Sequence, residues 1–265
     1  MIRGSASPLP LPGHTTEIYS TSAPSLSPIP TASNTLYTAS PRSQSPMATN
    51  GSAGVPQGGN AAPSGPDGKP LYLCQPFIRA ALVTGKFKSI VVLPKYVDVN
   101  EWVAINIFDF YTNLNLFLAA LSECCTQASC PTMSAGPGLD YTWTDTNNRR
   151  QLRLAAPTYI DFVTTWMQNA LNDQNMFPTK VAQEFSPHFP TMIKQMYRQL
   201  LRIFAHIFYA HYPVLLHLHS EGHFNSLFAH FLAFGKEHQI LDVRDIRGLG
   251  IGELADRWLE MKILD

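Results

Sequence analysis

The chain has 265 residues, 45% of them hydrophobic and only 14% charged, with 19 basic residues against 19 acidic ones. A net charge of zero gives no support for a generalised nucleic-acid or acidic-membrane binder, whose affinity comes from an excess of Lys and Arg. The length suits one domain of about 200 residues with a full core, plus an appendage.

Residues 1–70 are that appendage. They hold 12 of the 21 prolines and no phenylalanine, and their only charges before Lys69 are Arg3, Glu17, Arg42 and Asp67. A Ser/Pro/Gly-rich composition of this kind buries too little apolar surface to offset chain entropy, so a long disordered N-terminal tail is expected. Ser7, Ser27, Ser40 and Ser45 each precede a proline, which fits a proline-directed kinase and also fits the bare composition. Four cysteines without an apolar secretory h-region point to a reducing, intracellular setting.

Residues 71–265 form the ordered, mostly helical domain. Ala80 to Lys86 is expected as a short helix and Ser89 to Pro94 as an extended segment. Asp98 or Asn100 offers an N-cap for a helix from Glu101 to about Glu123. Trp102, Ile105, Phe108, Tyr111 or Thr112, Asn115 or Leu116 and Ala119 recur at helical spacing and predict its buried stripe, widened by Phe117 and Leu118. Asp98, Glu101 and Asp109 form an acidic set near its start, a place the helix dipole favours for acids whatever the function. Pro131 to Gly138 reads as a turn-rich loop. Tyr141–Trp143 and Gln151–Leu154, around Asn147-Asn148, predict one small β-hairpin.

Ala156-Pro157 opens the next helix, Thr158 to about Leu171, with Ile160, Phe162 or Val163, Trp166 and Ala170 inward. A longer helix is expected from near Thr191. Ile193, Met196 or Tyr197, Leu200, Ile203 or Phe204 and Ile207 give it a broad apolar face. Lys194, Arg198, Arg202 and His206 recur every fourth residue on another face. With Arg149 and Arg150, the pair Arg198 and Arg202 has the chemistry for bidentate phosphate contacts, although a solvated basic face shows the same pattern. Phe224, Leu227 or Phe228, Phe231 and Phe234 fill the following helix, and Ile240 to Leu264 closes the chain with Leu254, Trp258 and Leu259.

One constellation carries chemistry. Cys125 and Cys130 are five apart, and His206 and His211 repeat that interval. Thiolate and imidazole are the ligands zinc prefers, and a closed Cys2His2 set is a structural site. The same residues also allow Cys125 as a nucleophile with His206 as its base. Five residues span about 140° on a regular helix, so the two imidazoles converge only if the helix loosens or ends between them. Pro213 makes that feasible. The chain has no phosphate-binding glycine loop, no G-x-S-x-G, and no metal motif that leaves an open position beside a carboxylate.

Leu93-Pro94-Lys95-Tyr96-Val97-Asp98 with Asn100-Glu101-Trp102, and Cys125-x4-Cys130-Pro131-x-Met133-Ser134-Ala135-Gly136-Pro137, resemble motifs of the Mob (Mps-one-binder)/phocein family. Ala156-Pro157-x-Tyr159-Ile160-Asp161, Phe177-Pro178-x-Lys180 and Phe204-Ala205-His206-Ile207 through His211 continue the match over roughly residues 71–245. The flavour is closest to the fungal branch that activates morphogenesis-type NDR kinases; the cytokinesis and mitotic-exit branch is the alternative. The resemblance implies an all-α fold, a four-helix-bundle core with additional helices, and a structural Zn2+ on Cys125, Cys130, His206 and His211, selecting Cys125 over Cys124. It implies a non-catalytic co-activator that binds the N-terminal regulatory region of an NDR/LATS-class kinase through Asp98, Glu101 and Trp102, with Val97 at one family acidic position. Arg149, Arg150, Arg198 and Arg202 match a basic pocket that docks phosphopeptides, such as those of a phosphorylated upstream kinase or scaffold, in some members. Neither a nucleic-acid partner nor a membrane span is implied. The expected location is the cytoplasm, extending to the nucleus and to the cell cortex, growth tips or division site.

Overall fold

The computed structural model describes residues 64–65, 68–144, 150–180, 183–246 and 250–264. Most of the predicted tail, the Asn147-Asn148 turn and Arg149 therefore lie outside the described residues. Short 3-10 turns at Leu71–Leu73 and Phe77–Arg79 lead into α1 (Phe87–Val91) and the 23-residue α2 (Val99–Leu121). Next come β1 (Met133–Gly136), β2 (Leu139–Tyr141), β3 (Trp143–Thr144) and β4 (Gln151–Leu152). The remaining helices are α3 (Ala156–Leu171), α4 (Phe189–His206), α5 (Tyr212–His217), α6 (Glu221–Glu237), α7 (Val243–Ile246) and α8 (Gly250–Glu260). The expectation of a mostly helical domain holds.

The four long helices enclose one core: α4 packs on α2 and α3, and α6 packs on α1, α2 and α5. The apolar face read for α4 is buried throughout, from Ile193 to Phe204. Phe224, Phe228, Phe231 and Phe234 are fully buried on α6. Tyr197 stacks on Phe231 at 4.0 Å and donates its hydroxyl to the Phe231 carbonyl at 2.7 Å. That approach needs Gly235, where a Cβ would lie 2.7 Å from the Tyr197 ring. Phe110 sits at the centre with its edge against Tyr197, Phe231 and Phe234. Truncating it to alanine would cost about 3–5 kcal/mol.

Four local expectations are corrected. Ala80 to Lys86 is irregular, and the short helix starts only at Phe87, so the extended segment predicted from Ser89 is helical as far as Val91. The helical turn puts Phe87 and Val91, four apart, on one face buried against α6. The loop after Cys130 contains a two-stranded antiparallel sheet, β1 with β2, in addition to the β3–β4 pair where the hairpin was predicted. Its Gly/Pro-rich composition masks it, because Gly138, at φ +71°, makes the turn and a bulge at Ala135 breaks the register. The long helix starts at Phe189, with Pro190 in its first turn, where a missing N–H costs nothing.

The fourth correction concerns the face of α2. Asp98 is its N-cap, accepting the backbone N–H groups of Asn100 and Glu101 at 2.8 and 3.2 Å. The buried positions are Val103, Ile107, Phe110, Tyr111 and Leu114, and the predicted Ile105, Phe108 and Leu116 are exposed at 50%, 48% and 67%. This helix is apolar almost all round, so its period alone does not choose the inward face. Among the described residues α2 is the one helix long and apolar enough to cross a bilayer. Its packing on α4 and α6, and its Asn106, Asp109 and Asn113, make it a bundle helix.

Candidate metal centre and partner face

The end of α2 and the loop after it form a tight knuckle. Cys125 N–H reaches back to the Leu121 carbonyl at 2.8 Å, and Cys130 N–H to that of Thr126 at 2.8 Å. Thr126 and Ser129 cap each other, with Thr126 N–H donating to Ser129 Oγ at 2.9 Å and Ser129 N–H to Thr126 Oγ1 at 3.1 Å. Ser129 Oγ donates in turn to the Cys124 carbonyl at 2.6 Å. These bonds turn Cys125 and Cys130 inward and leave Cys124 exposed.

The histidines converge because the helix loosens between them, as one of the two expected routes required. Residues Ile207–His211 form a π-helical turn between α4 and α5. Pro213 has no N–H to continue the α-helical ladder, and its ring would meet the carbonyl four residues back. The wider turn accommodates it, and i→i+5 periodicity places residues five apart above one another. His206 and His211 therefore face the same side, with ring centroids 5.1 Å apart. Inserted π turns of this kind are frequent at functional sites.

Cys125 Sγ lies 3.6 Å from His206 Nε2, and Cys130 Sγ lies 3.4 Å from His211 Nε2. All four ligand atoms fall within 4.8 Å of one another. Tetrahedral zinc with Zn–S near 2.3 Å and Zn–N near 2.0 Å separates its ligand atoms by about 3.3–3.8 Å, a range that includes both sulfur–nitrogen separations, so the set could hold such an ion. His206 Nδ1 faces the Ser134 carbonyl at 2.7 Å, a contact that donates from Nδ1 and leaves Nε2 free as the ligand atom. Without a cation the two thiols share a proton. Cys130 is pulled down as the thiolate, first by the hydrogen bond from Cys125 and then by both imidazoles; Cys125 is pushed up by that same bond and by burial. A metal ion held by these four groups would take that proton's place. The arrangement suits a closed metal site better than a nucleophile and base, because both imidazoles and both thiols converge on one centre.

The other predicted residues are scattered. Asp98 is occupied in capping α2. Trp102 is half-buried against Phe234 and donates its indole N–H to the Val91 carbonyl at 3.3 Å, which also receives His238. Glu101 is exposed on the first turn. Arg202 is turned inward, with its guanidinium 5.0 Å over the Tyr141 ring and Nη1 donating to Tyr159 Oη at 2.8 Å. Arg198 lies 4.0 Å from Asp245, and Arg150 is exposed beside the undescribed Arg149.

The sequence reading missed an apolar groove of about 560 Å³ between α1, α2 and α6. Leu116, Phe117 and Ala120 form one wall, Leu227 and His230 another, and Val83 part of the rim. Burial against Phe87 and Phe110 lowers the pKa of His230, partly opposed by Asp109. The apolar period that carries the groove was visible but was assigned to the core.

The Mob1/phocein family profile matches residues 79–249. The chain belongs to that family. It is 53% identical over 175 residues to "Maintenance of ploidy protein mob2" of Schizosaccharomyces pombe, covering 66% of this chain and 71% of the relative. It is 48% identical over 179 residues to "CBK1 kinase activator protein MOB2" of Saccharomyces cerevisiae, covering 68% of this chain and 62% of the relative. The relative of the same name in Candida albicans is 46% identical over 180 residues, 68% of this chain and 57% of its own length. The Mob resemblance and its fungal kinase-activator branch therefore stand. The chain spans less than two thirds of the last two relatives.

Proposed function

We propose that this Mob-family chain is a non-catalytic co-activator that binds the N-terminal regulatory region of an NDR/LATS-class protein kinase. The observation that carries the reading is the groove between α1, α2 and α6, together with the exposed Ile105, Phe108 and Leu116 on the adjoining face of α2. Exposed apolar surface of this extent marks a protein interaction site, and a groove between helices takes the apolar face of a partner helix. Glu101 and Asp109 stand on the same exposed side of α2 and favour a basic partner segment. The relatives named as activators of the kinase CBK1 support a kinase as the occupant. Binding there orders the regulatory segment, and the chain contributes no reacting group.

The same reading assigns a structural zinc to Cys125, Cys130, His206 and His211. The ion cross-links the knuckle after α2 to the π turn after α4, and a closed set of four protein ligands serves folding, not chemistry. Together the knuckle and the π turn fix the C-terminal half of α2, whose outer face carries the groove.

The test is co-purification with an NDR-class kinase from the source cells, and with the kinase's isolated N-terminal region. Glu101→Arg with Asp109→Arg, and separately Leu116→Glu, should abolish capture while the protein stays folded. Undiminished capture by both would sink the assignment. Asp98 is unsuited to this test, because its loss uncaps α2.

A further inference from the structure

Two segments lie outside the family match, Ser64–Ile78 before it and Gly250–Leu264 after it, and they pack against one another. Gly250 lies so close to Tyr72 that a Cβ on it would meet the tyrosine hydroxyl. Trp258 is fully buried and donates its indole N–H to the Ile78 carbonyl at 2.8 Å, across 180 residues of chain. Five residues on, the Ile263 carbonyl accepts Gly85 N–H at 3.0 Å. Gly85 has φ +62°, and a Cβ there would stand 3.3 Å from the Lys262 carbonyl, so only glycine fits without displacement.

These contacts bracket the strap Phe77–Gly85, which is irregular from Ala80 onward. The strap has other anchors on α5 and α6. Tyr212 on α5 and Asn225 on α6 donate to the Phe77 carbonyl at 3.4 and 3.1 Å, and Ser226 Oγ accepts the N–H groups of Leu82 and Val83 at 2.7 and 3.3 Å. Val83 forms part of the groove rim and the strap leads straight into α1, which supplies Phe87 and Ile90 to the same groove. Beyond Ile78, which is buried in the core, the strap has little apolar burial, with Leu82 63% exposed. Its position is set from outside.

We propose that the C-terminal segment Gly250–Leu264 is a splint that holds this strap and so preorganises one wall of the groove for its partner, with Trp258 and Ile263 as positioning residues. The proposal rests on the groove being the kinase-binding site. An 11-residue helix is too short to persist alone in water, so α8 is ordered only while docked. A groove whose wall is in place for only a fraction of the time binds with an affinity reduced by that fraction. Docking of α8 is thereby coupled to partner binding without touching the partner.

Trp258→Phe keeps the aromatic packing on Phe228 and removes the single N–H that reaches Ile78. Amide hydrogen exchange of residues 78–88 in the free, zinc-loaded full chain should accelerate at least about threefold, and the Kd for the kinase's N-terminal segment should rise by about threefold to tenfold. Val163→Ala, buried on α3, provides a destabilised reference in which neither quantity changes beyond the global loss of stability. Strap exchange unchanged in Trp258→Phe, or an affinity loss matched by Val163→Ala, overturns the splint. Should Trp258→Phe fail to fold, Gly85→Ala breaks the same clasp from the strap side and is read in the same way. Failure of the wild-type chain to bind the kinase segment removes the groove assignment, while the exchange pattern still decides whether α8 holds the strap.

Discussion

The two sides of α2 are built on opposite principles. At its C-terminal end, polar groups are drawn inward: three of the four ligands are buried, and each is held by backbone hydrogen bonds or by the π turn. Along its outer face, apolar groups are left outward, with Ile105, Phe108 and Leu116 half-exposed or more beside an apolar groove. Buried polar groups without partners and exposed apolar groups without cover are both unfavourable. On the proposed reading, the buried set is satisfied by its own members and a metal ion, and the exposed set by the kinase segment. On that reading stability rests on the cluster beyond the end of α2 and function on the outer face of the helix, and substitutions should separate them.

The largest effect should come from the metal side. Cys130→Ser, or a strong chelator, removes the cross-link and leaves buried ligands unpaired, with an expected loss of about 3–5 kcal/mol and a fall in Tm of about 10 °C. Calorimetry of the chain with and without chelator measures it, alongside elemental analysis that should give close to one zinc per chain. Metal uptake releases the proton shared by Cys125 and Cys130, so affinity for zinc should fall as the pH is lowered. A metal-free chain of unchanged Tm would collapse the contrast between the two sides.

The next effect belongs to the groove. Leu116→Glu should leave Tm within about 2 °C, because a largely exposed position contributes within about ±0.5 kcal/mol to stability. Binding of the kinase segment should weaken by about 2 kcal/mol or more, at least about thirtyfold, if Leu116 is a central contact. Isothermal titration reads the affinity and differential scanning calorimetry the stability. Equal losses in both would mean that Leu116 is core and the groove is not a docking site.

This separation also explains what could be read from the sequence. The convergence of Cys125, Cys130, His206 and His211 was legible through the family motifs, because their equal spacings alone left a metal site and a thiol nucleophile both open. The π turn was half-legible: Pro213 signalled that the helix could not run on unchanged, but not that it would widen by one residue and continue. The outward face of α2 was misread because Ile105, Phe108 and Leu116 recur at the same period as Val103, Ile107, Phe110 and Leu114. A helix apolar on both faces presents two stripes, and only the position of α4 and α6 decides which is covered. Those neighbours come from residues about 80 to 130 positions downstream, beyond the reach of local pattern. The groove, the strap and the splint are long-range features for the same reason.

A smaller effect tests the basic stripe. Arg202 reads from sequence as a phosphate ligand, yet it spends its guanidinium on the Tyr141 ring and the Tyr159 hydroxyl. Arg202→Ala should therefore cost about 1–2 kcal/mol of stability, by loss of a charged hydrogen bond and a cation–π contact. Arg198→Ala should cost less than about 0.5 kcal/mol, because its 4.0 Å approach to Asp245 is a half-exposed ion pair. Urea titration of the two variants distinguishes the inward arginine from the outward one; equal costs would return both to a common surface role.

The smallest expected effect is the sharpest discriminator of the metal side. Cys124 and Cys125 are chain neighbours with the same side chain, the same backbone acceptor for their N–H groups in the Leu121 carbonyl, and different fates. Cys125 Sγ faces His206 Nε2, whereas Cys124 is exposed and lies outside the ligand set. If the inward turn of the knuckle is what makes a ligand, Cys124→Ser should change stability by less than about 0.5 kcal/mol and leave the zinc content untouched. Cys125→Ser should reproduce most of the loss seen in Cys130→Ser. Cobalt substitution adds a readout independent of stability. The thiolate-to-cobalt charge-transfer absorption should keep its two-sulfur intensity in Cys124→Ser and fall by about half in Cys125→Ser, since each coordinating thiolate contributes its own band. Equal loss in both variants would mean that the knuckle can rotate to offer either thiol, and the hydrogen bonds of Thr126 and Ser129 would then not be what fixes the site.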